Sequence, residues 1–201
     1  MISRRVVAAA LVVLVAGCVS VPPHALSISE LQNYRIADVV VEGVEVIRSW
    51  PAQEEAFARA GGVDFETNNR LQTEPAASFP ALRAQMQQAL NERFKLEFTS
   101  QVAPIFTGSR PVKAIVRLKN FDVPSATRRV LVDQDAKIKA EIDLVDPKTG
   151  ASIVKYDGPF RTKRLIGGVA TVISVAFDRS DVAYSLITDY ITAYRDWLVA
   201  R

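Results

Sequence analysis

Apolar and polar positions alternate most cleanly over residues 136–145, AKIKAEIDLV. Ile138, Ala140, Ile142 and Leu144 fall on one side, and Lys137, Lys139, Glu141 and Asp143 on the other. A period of two is that of a strand with one buried face. The turn Asp146-Pro147-Lys148-Thr149-Gly150 follows, with proline fixing φ at its start and glycine accepting a positive φ at its end. A returning strand over Ala151 to Tyr156 completes a hairpin. Residues 112–119 also alternate, with Val112, Ala114, Val116 and Leu118 on one face and Lys113, Arg117 and Lys119 on the other. The β-branched run 36–47, IADVVVEGVEVI, reads as a first strand, with Gly43 marking a bulge or bend. Another short strand is expected near Arg129 to Val132.

Elsewhere the period lengthens to that of a helix. Ser49-Trp50-Pro51 opens a short helix running through Arg59, which Gly61-Gly62 stops. Ser78 is placed to cap the next helix, with Pro80 in its first turn. Phe79, Leu82, Met86, Leu90 and Phe94 recur at spacings of three and four on one face of it, and Arg83, Gln87, Gln88, Glu92 and Arg93 face away. Val182, Leu186, Ile187, Tyr190, Ile191, Tyr194 and Leu198 mark a final helix, with Ser180 or Asp181 as its cap. Residues 63–77 and 99–111 read as loops. The order β-α-α-β-β-β-β-α, with one-sided alternation, predicts an α+β fold: an antiparallel sheet of about four strands with helices packed on one face.

The first eighteen residues follow another logic. Arg4 and Arg5 precede the uncharged run Val6 to Ala16, VVAAALVVLVA. Eleven helical residues reach only about 16 Å, too short for a hydrocarbon core of about 30 Å. The run is therefore expected to be the apolar part of a signal peptide rather than a permanent span. It ends in Leu14-Val15-Ala16-Gly17-Cys18, which resembles the lipobox of bacterial lipoproteins. That resemblance implies cleavage between Gly17 and Cys18 and a diacylglyceryl group on the Cys18 thiol. Several acyl chains, at about 0.8 kcal/mol per buried methylene, make a stable anchor. Val19 stands where an aspartate would retain such a protein in the inner membrane, so the resemblance implies anchoring at the outer membrane, facing the periplasm.

The chain then divides into a signal peptide (1–17), a lipidated cysteine with its tether (18–29) and one α+β periplasmic domain (30–201). Pro22-Pro23 keeps the tether extended, and its eleven residues from Val19 reach about 35 Å, enough for the domain to stand clear of the lipid.

Composition narrows the chemistry. Of 201 residues, 49% are apolar, enough for one proper core. The formal net charge is +3, but Arg4 and Arg5 belong to the signal segment, so the mature chain is close to neutral and nucleic acid is not an expected partner. The single cysteine excludes an internal disulfide and any multi-cysteine metal site. The single histidine, His24, falls in the tether, where nothing in the sequence would hold it for a catalytic triad. Asp133-Gln134-Asp135 has the spacing of a metal-binding pair but reads as a solvated turn. Gly61-Gly62 and Gly167-Gly168 make no phosphate loop. No catalytic residue, cofactor or metal is expected.

Candidate contact residues are of two kinds. Lys113, Arg117, Lys119, Lys137 and Lys139, with Arg128 and Arg129, suit a basic stripe on one sheet face, although Glu141 and Asp143 would balance it. Val102, Ile105 and Phe106 are apolar residues in a loop, either folded over the core or forming a contact patch. Leu165 to Phe177, LIGGVATVISVAF, is the most apolar stretch of the mature chain and reads as core or as a partner or lipid contact.

Beyond the lipobox, the layout resembles small uncharacterised envelope lipoproteins and the auxiliary lipoproteins of ABC-type lipid transport systems. Leu144-Val145-Asp146-Pro147-Lys148-Thr149-Gly150 and the later Gly167-Gly168 carry that resemblance. The function expected is that of a lipid-anchored, non-enzymatic envelope adaptor with a protein partner. The alternative is a periplasmic lipoprotein that binds a small molecule or lipid.

Overall fold

The structure, a computed structural model, describes residues 21–61, 74–125, 135–163 and 181–200. Gly17, Cys18, the strand expected near Arg129 to Val132, Asp133, Gln134, Gly167-Gly168 and the run Leu165 to Phe177 lie outside the described residues.

A one-turn helix, α1 (Ile28–Leu31), is opened by a reciprocal cap: Ser27 accepts from the Glu30 N–H, and the Glu30 carboxylate accepts from the Ser27 N–H at 2.7 Å. Strand β1 (Tyr34–Glu42) ends at Gly43, whose φ of +87° turns the chain into a 3-10 turn, Val44–Val46. A Cβ at Gly43 would lie 2.6 Å from the Leu118 carbonyl oxygen, so the bend needs glycine on both counts. The single strand expected over 36–47 is thus broken in two. A short β2 (Ile47–Ser49) resumes beyond the bend, and α2 (Pro51–Arg59) follows with proline in its first turn. Glu54 reaches back to accept from the Trp50 N–H at 2.7 Å and from the Ser49 hydroxyl at 3.2 Å.

Helix α3 (Pro80–Glu97) buries Leu82, Met86, Leu90 and Phe94, the face that its periodicity marks. Ser78 is not its cap. It closes a 3-10 turn, Ala76–Ser78, that leads through Phe79 straight into the helix. The region expected as a loop from residue 99 begins as a continuation of α3: a π-type turn, Phe98–Val102, then a 3-10 turn, Ala103–Ile105. Phe98 and Val102 extend the Phe94 face at helical spacing, and both are fully buried.

Strands β3 (Arg110–Asp122), β4 (Ala136–Val145), β5 (Ser152–Asp157) and β6 (Arg161–Lys163) precede the last helix, α4 (Val182–Val199). Asp181 caps α4 by accepting from the Ala183 N–H at 2.9 Å.

The sheet has six strands in the order β1-β3-β4-β5, with β2 extending the β1 edge along β3 and β6 extending the β5 edge along β4. β1 and β2 run parallel to β3, and the other pairs are antiparallel. The purely antiparallel sheet of about four strands is therefore corrected to a mixed sheet, of six strands among the described residues. The cause is the connection through α3: eighteen helical residues carry the chain back about 27 Å across the sheet, so β3 enters from the same end as β1. The β4–β5 hairpin has only a tight turn and reverses direction.

Helices α3 and α4 cover one face, α3 on β1 and α4 on β4, and also pack on each other. Val39, Val41, Ala114, Val116, Leu118, Ile138, Ala140, Ile142 and Leu144 share one core cluster with the buried helix faces.

Candidate functional site

On the outer face of the sheet, charges pair across strands rather than accumulate. Lys113 lies 3.9 Å from Asp38, and Arg117 bridges Glu42 (3.2 Å), Glu141 (2.9 Å) and Asp143 (3.5 Å). Lys155 meets Glu141 at 3.1 Å, and Lys139 meets Asp157 at 3.9 Å while covering the exposed Phe160 ring. Lys113 stands directly opposite Asp38, and Arg117 directly opposite Glu42 and Glu141, while the Arg117–Asp143, Lys155–Glu141 and Lys139–Asp157 pairs are diagonal. Of the expected basic stripe, Lys113, Arg117 and Lys139 thus sit among opposite charges, and Arg128 and Arg129 lie outside the described residues. Burial pushes Glu141 up, but hydrogen bonds from Lys155 and Arg117 overcome it and leave the carboxyl below its usual range. The Arg117 guanidinium is held more firmly protonated, chiefly by Glu141. Of the two candidate contact lysines on β4, Lys137 is exposed and Lys139 is half-covered.

The apolar candidates divide. Val102 is fully buried and Phe106 nearly so, because the helical continuation after α3 turns both into the core. As contact residues, Val102 and Phe106 are therefore corrected to core residues. Ile105 is half-buried against the same core and keeps an outward edge.

The segment expected as a free tether is folded down. Val21 and Leu26 pack on the core. The Trp197 indole N–H donates to the Pro22 carbonyl at 2.9 Å. His24 Nε2 lies 2.9 Å from the Leu198 carbonyl, which can only accept, so Nε2 carries the proton. The imidazole meets the Trp197 ring edge-on at 4.8 Å. His24 is thus held in position after all, by groups more than 170 residues away, and its partner is a carbonyl in the last turn of α4 that has no intrahelical donor. No local sequence signal pairs His24 with Trp197.

Behind this clasp lies an aromatic cluster of Tyr156, Tyr190, Tyr194, Trp197 and Phe98, with ring centroids 5.0–6.1 Å apart. Burial pushes the Tyr190 and Tyr194 hydroxyls well above the usual tyrosine range, so both remain protonated. Tyr190 has a defined task. β5 ends at Asp157, opposite Glu141, and β6 begins at Arg161, opposite Ile138, which leaves Ala140 without a strand neighbour on that side. The Tyr190 hydroxyl fills the gap: it accepts from the Ala140 N–H at 3.2 Å and donates to the Ala140 carbonyl. Gly158 makes room, since a Cβ there would overlap the Tyr190 hydroxyl and the Tyr156 ring.

Two further polar sites involve α4, one facing α3 and one facing β6. Arg93, on the face of α3 expected to be solvated, lies across to α4: it pairs with Glu97 at 2.6 Å and donates to Thr188 at 2.7 Å, while Gln101 links Glu97 to Thr192. A cavity of about 370 Å³ opens between β6 and α4, lined by Arg161, Thr162, Leu186, Asp189, Thr192, Ala193 and Asp196. The spacing of Asp189, Thr192 and Asp196 along α4 is the one sequence signal that marks this polar stripe. Among the described residues, no helix is long and apolar enough to cross a membrane.

Neither family models nor curated proteins yield a match to this chain. Among solved structures it is similar to a presumed lipoprotein from Caulobacter crescentus CB15, at 13% identity and a TM-score of 0.28, over 56% of this chain and 82% of that one. A likeness at that level carries no argument about fold or role.

Proposed function

We propose that the chain is a lipid-anchored lipoprotein of the bacterial envelope that works by binding, as an adaptor or auxiliary component of an envelope complex. The observation that carries the reading is the N-terminal sequence: two arginines, an eleven-residue apolar run, and small residues directly before the only cysteine, Cys18. Anchoring is at the outer membrane with the domain in the periplasm, and the contact surface includes Lys137, Lys139 and the outward edge of Ile105. Lys137 is exposed, and Lys139 and Ile105 are partly so.

A second reading, a lipoprotein that binds a small molecule, draws on the cavity between β6 and α4. Its lining of Arg161, Thr162, Asp189, Thr192 and Asp196 suits a small polar compound better than an acyl chain.

Affinity purification from gently solubilised envelopes separates the two. A stoichiometric protein partner supports the adaptor. A bound small molecule, with no protein partner, supports the second reading and overturns the first.

A further inference from the structure

We infer that the C-terminal end of α4 is the membrane-facing end of the domain, held against the lipid surface by the clasp between the N-terminal segment and Trp197. The inference rests on the lipidation of Cys18 proposed above and adds to it an orientation.

Cys18 and Val21 are three residues apart, so the anchored sulfur-bearing residue lies within about 11 Å of the docked segment. From Val21 onward the chain is fixed to the domain. Val21 and Leu26 pack, half-buried, against the core, the Pro22 carbonyl accepts from the Trp197 N–H, and His24 donates to the Leu198 carbonyl. A tether free from Cys18 to Ser27 would instead reach about 30 Å and would impose no orientation. The clasp shortens the leash and chooses the end of the molecule to which it is tied.

What that end presents agrees with a lipid surface. Trp197, an amphipathic ring with its N–H already bonded, suits the membrane interface. Val199 is 41% exposed, and Pro22 and Pro23 are exposed where the segment docks on Trp197. Helix α4 runs in the same sense as β4, since Tyr190 meets Ala140 while Tyr194 and Trp197 meet Tyr156, which stands opposite Ile142. The β4–β5 turn with exposed Lys148 therefore lies at the same end. The opposite end of α4 begins at Asp181, which accepts from the Trp50 indole N–H at 2.9 Å, so α2 begins at the end of the helix away from the clasp, about 27 Å along its axis.

The test uses the full chain, acylated at Cys18 as verified by intact mass, in phosphatidylethanolamine–phosphatidylglycerol vesicles doped with head-group nitroxide lipid. A fluorophore is placed on Val199→Cys or, on α2, on the exposed Glu55→Cys. Quenching several-fold stronger at position 199 is the expected result. Equal quenching, or stronger quenching at position 55, overturns the orientation. Adding His24→Ala and Trp197→Phe, with the fold checked by circular dichroism, should lower quenching at position 199 towards that at 55. Unchanged quenching there overturns the role given to the clasp. A chain with no acyl mass on Cys18 overturns the lipoprotein reading itself and the orientation with it.

Discussion

Tyr190→Phe removes one oxygen and tests how the gap between β5 and β6 is closed. Ala140 is fully buried, and both its N–H and its carbonyl are satisfied on that side by the Tyr190 hydroxyl. The ring stays in place against Tyr156, so packing is largely preserved. A buried backbone group left unpaired costs about 1–3 kcal/mol. Two such groups, one donor and one acceptor on the same residue, set the expected loss at about 2–4 kcal/mol. For a domain of this size that corresponds to a fall in Tm of about 5–15 °C. The assay is thermal melting followed by far-ultraviolet circular dichroism. Gly158→Ala supplies the second arm. Alone it should also destabilise, because its methyl group overlaps the Tyr190 hydroxyl. In the Tyr190→Phe background its added cost should be smaller, since the hydroxyl is gone and only the Tyr156 overlap remains. A Tyr190→Phe melt within about 2 °C of the parent, or strict additivity of the two substitutions, would refute the reasoning.

Other outcomes follow from the same structure. Leu90→Asp places a charge on the fully buried face of α3 and should cost several kcal/mol by denaturant titration. Gly43→Ala meets both a positive φ and the Leu118 carbonyl, and should lower stability by more than about 2 kcal/mol in the same titration. Lys137→Glu with Lys139→Glu should leave the melt nearly unchanged while reducing envelope pull-down yield; an unaffected yield removes those lysines from the contact surface. Glu141 is held below its ordinary 4.5 and Asp146 below 3.8, the latter chiefly by the Lys148 N–H and Arg110. Both lie lower in the folded than in the unfolded chain, so their stabilisation is complete above those ordinary values and is lost as pH falls through the lower folded ones. Glu141→Gln should flatten the acid limb of a Tm-versus-pH curve, and an unchanged limb would count against the Arg117–Glu141–Lys155 cluster.

Much of the fold was legible because its signals are local. The alternation of 136–145, the turn at 146–150, the Pro51 helix and the stripe of Leu82, Met86, Leu90 and Phe94 each declare an element within a few residues. Strand direction did not declare itself: Val39 and Val41 alternate the same way whether β1 runs with β3 or against it, and only the α3 crossover decides. β2 and β6 have three residues each, too short for a period to register. The continuation of α3 through Phe98 and Val102 keeps a helical spacing from Phe94, although residues 99–111 read as a loop. The contact residues were least legible. Whether Val102 and Phe106 face inward depends on that continuation, and whether a row of lysines forms a stripe depends on what the neighbouring strands place opposite. The clasp of His24 on Trp197 joins the two ends of the chain, a pairing beyond any local pattern.

Everything proposed about location and orientation depends on one bond, that between Cys18 and its lipid. Metabolic labelling with palmitate, read together with the intact mass of the purified chain, measures it directly. Incorporation into the native chain, with mass consistent with removal of residues 1–17 and addition of acyl chains, and loss of both in Cys18→Ser, is the predicted result. Incorporation that persists in Cys18→Ser, or a native chain that begins elsewhere and carries no acyl mass, would contradict it.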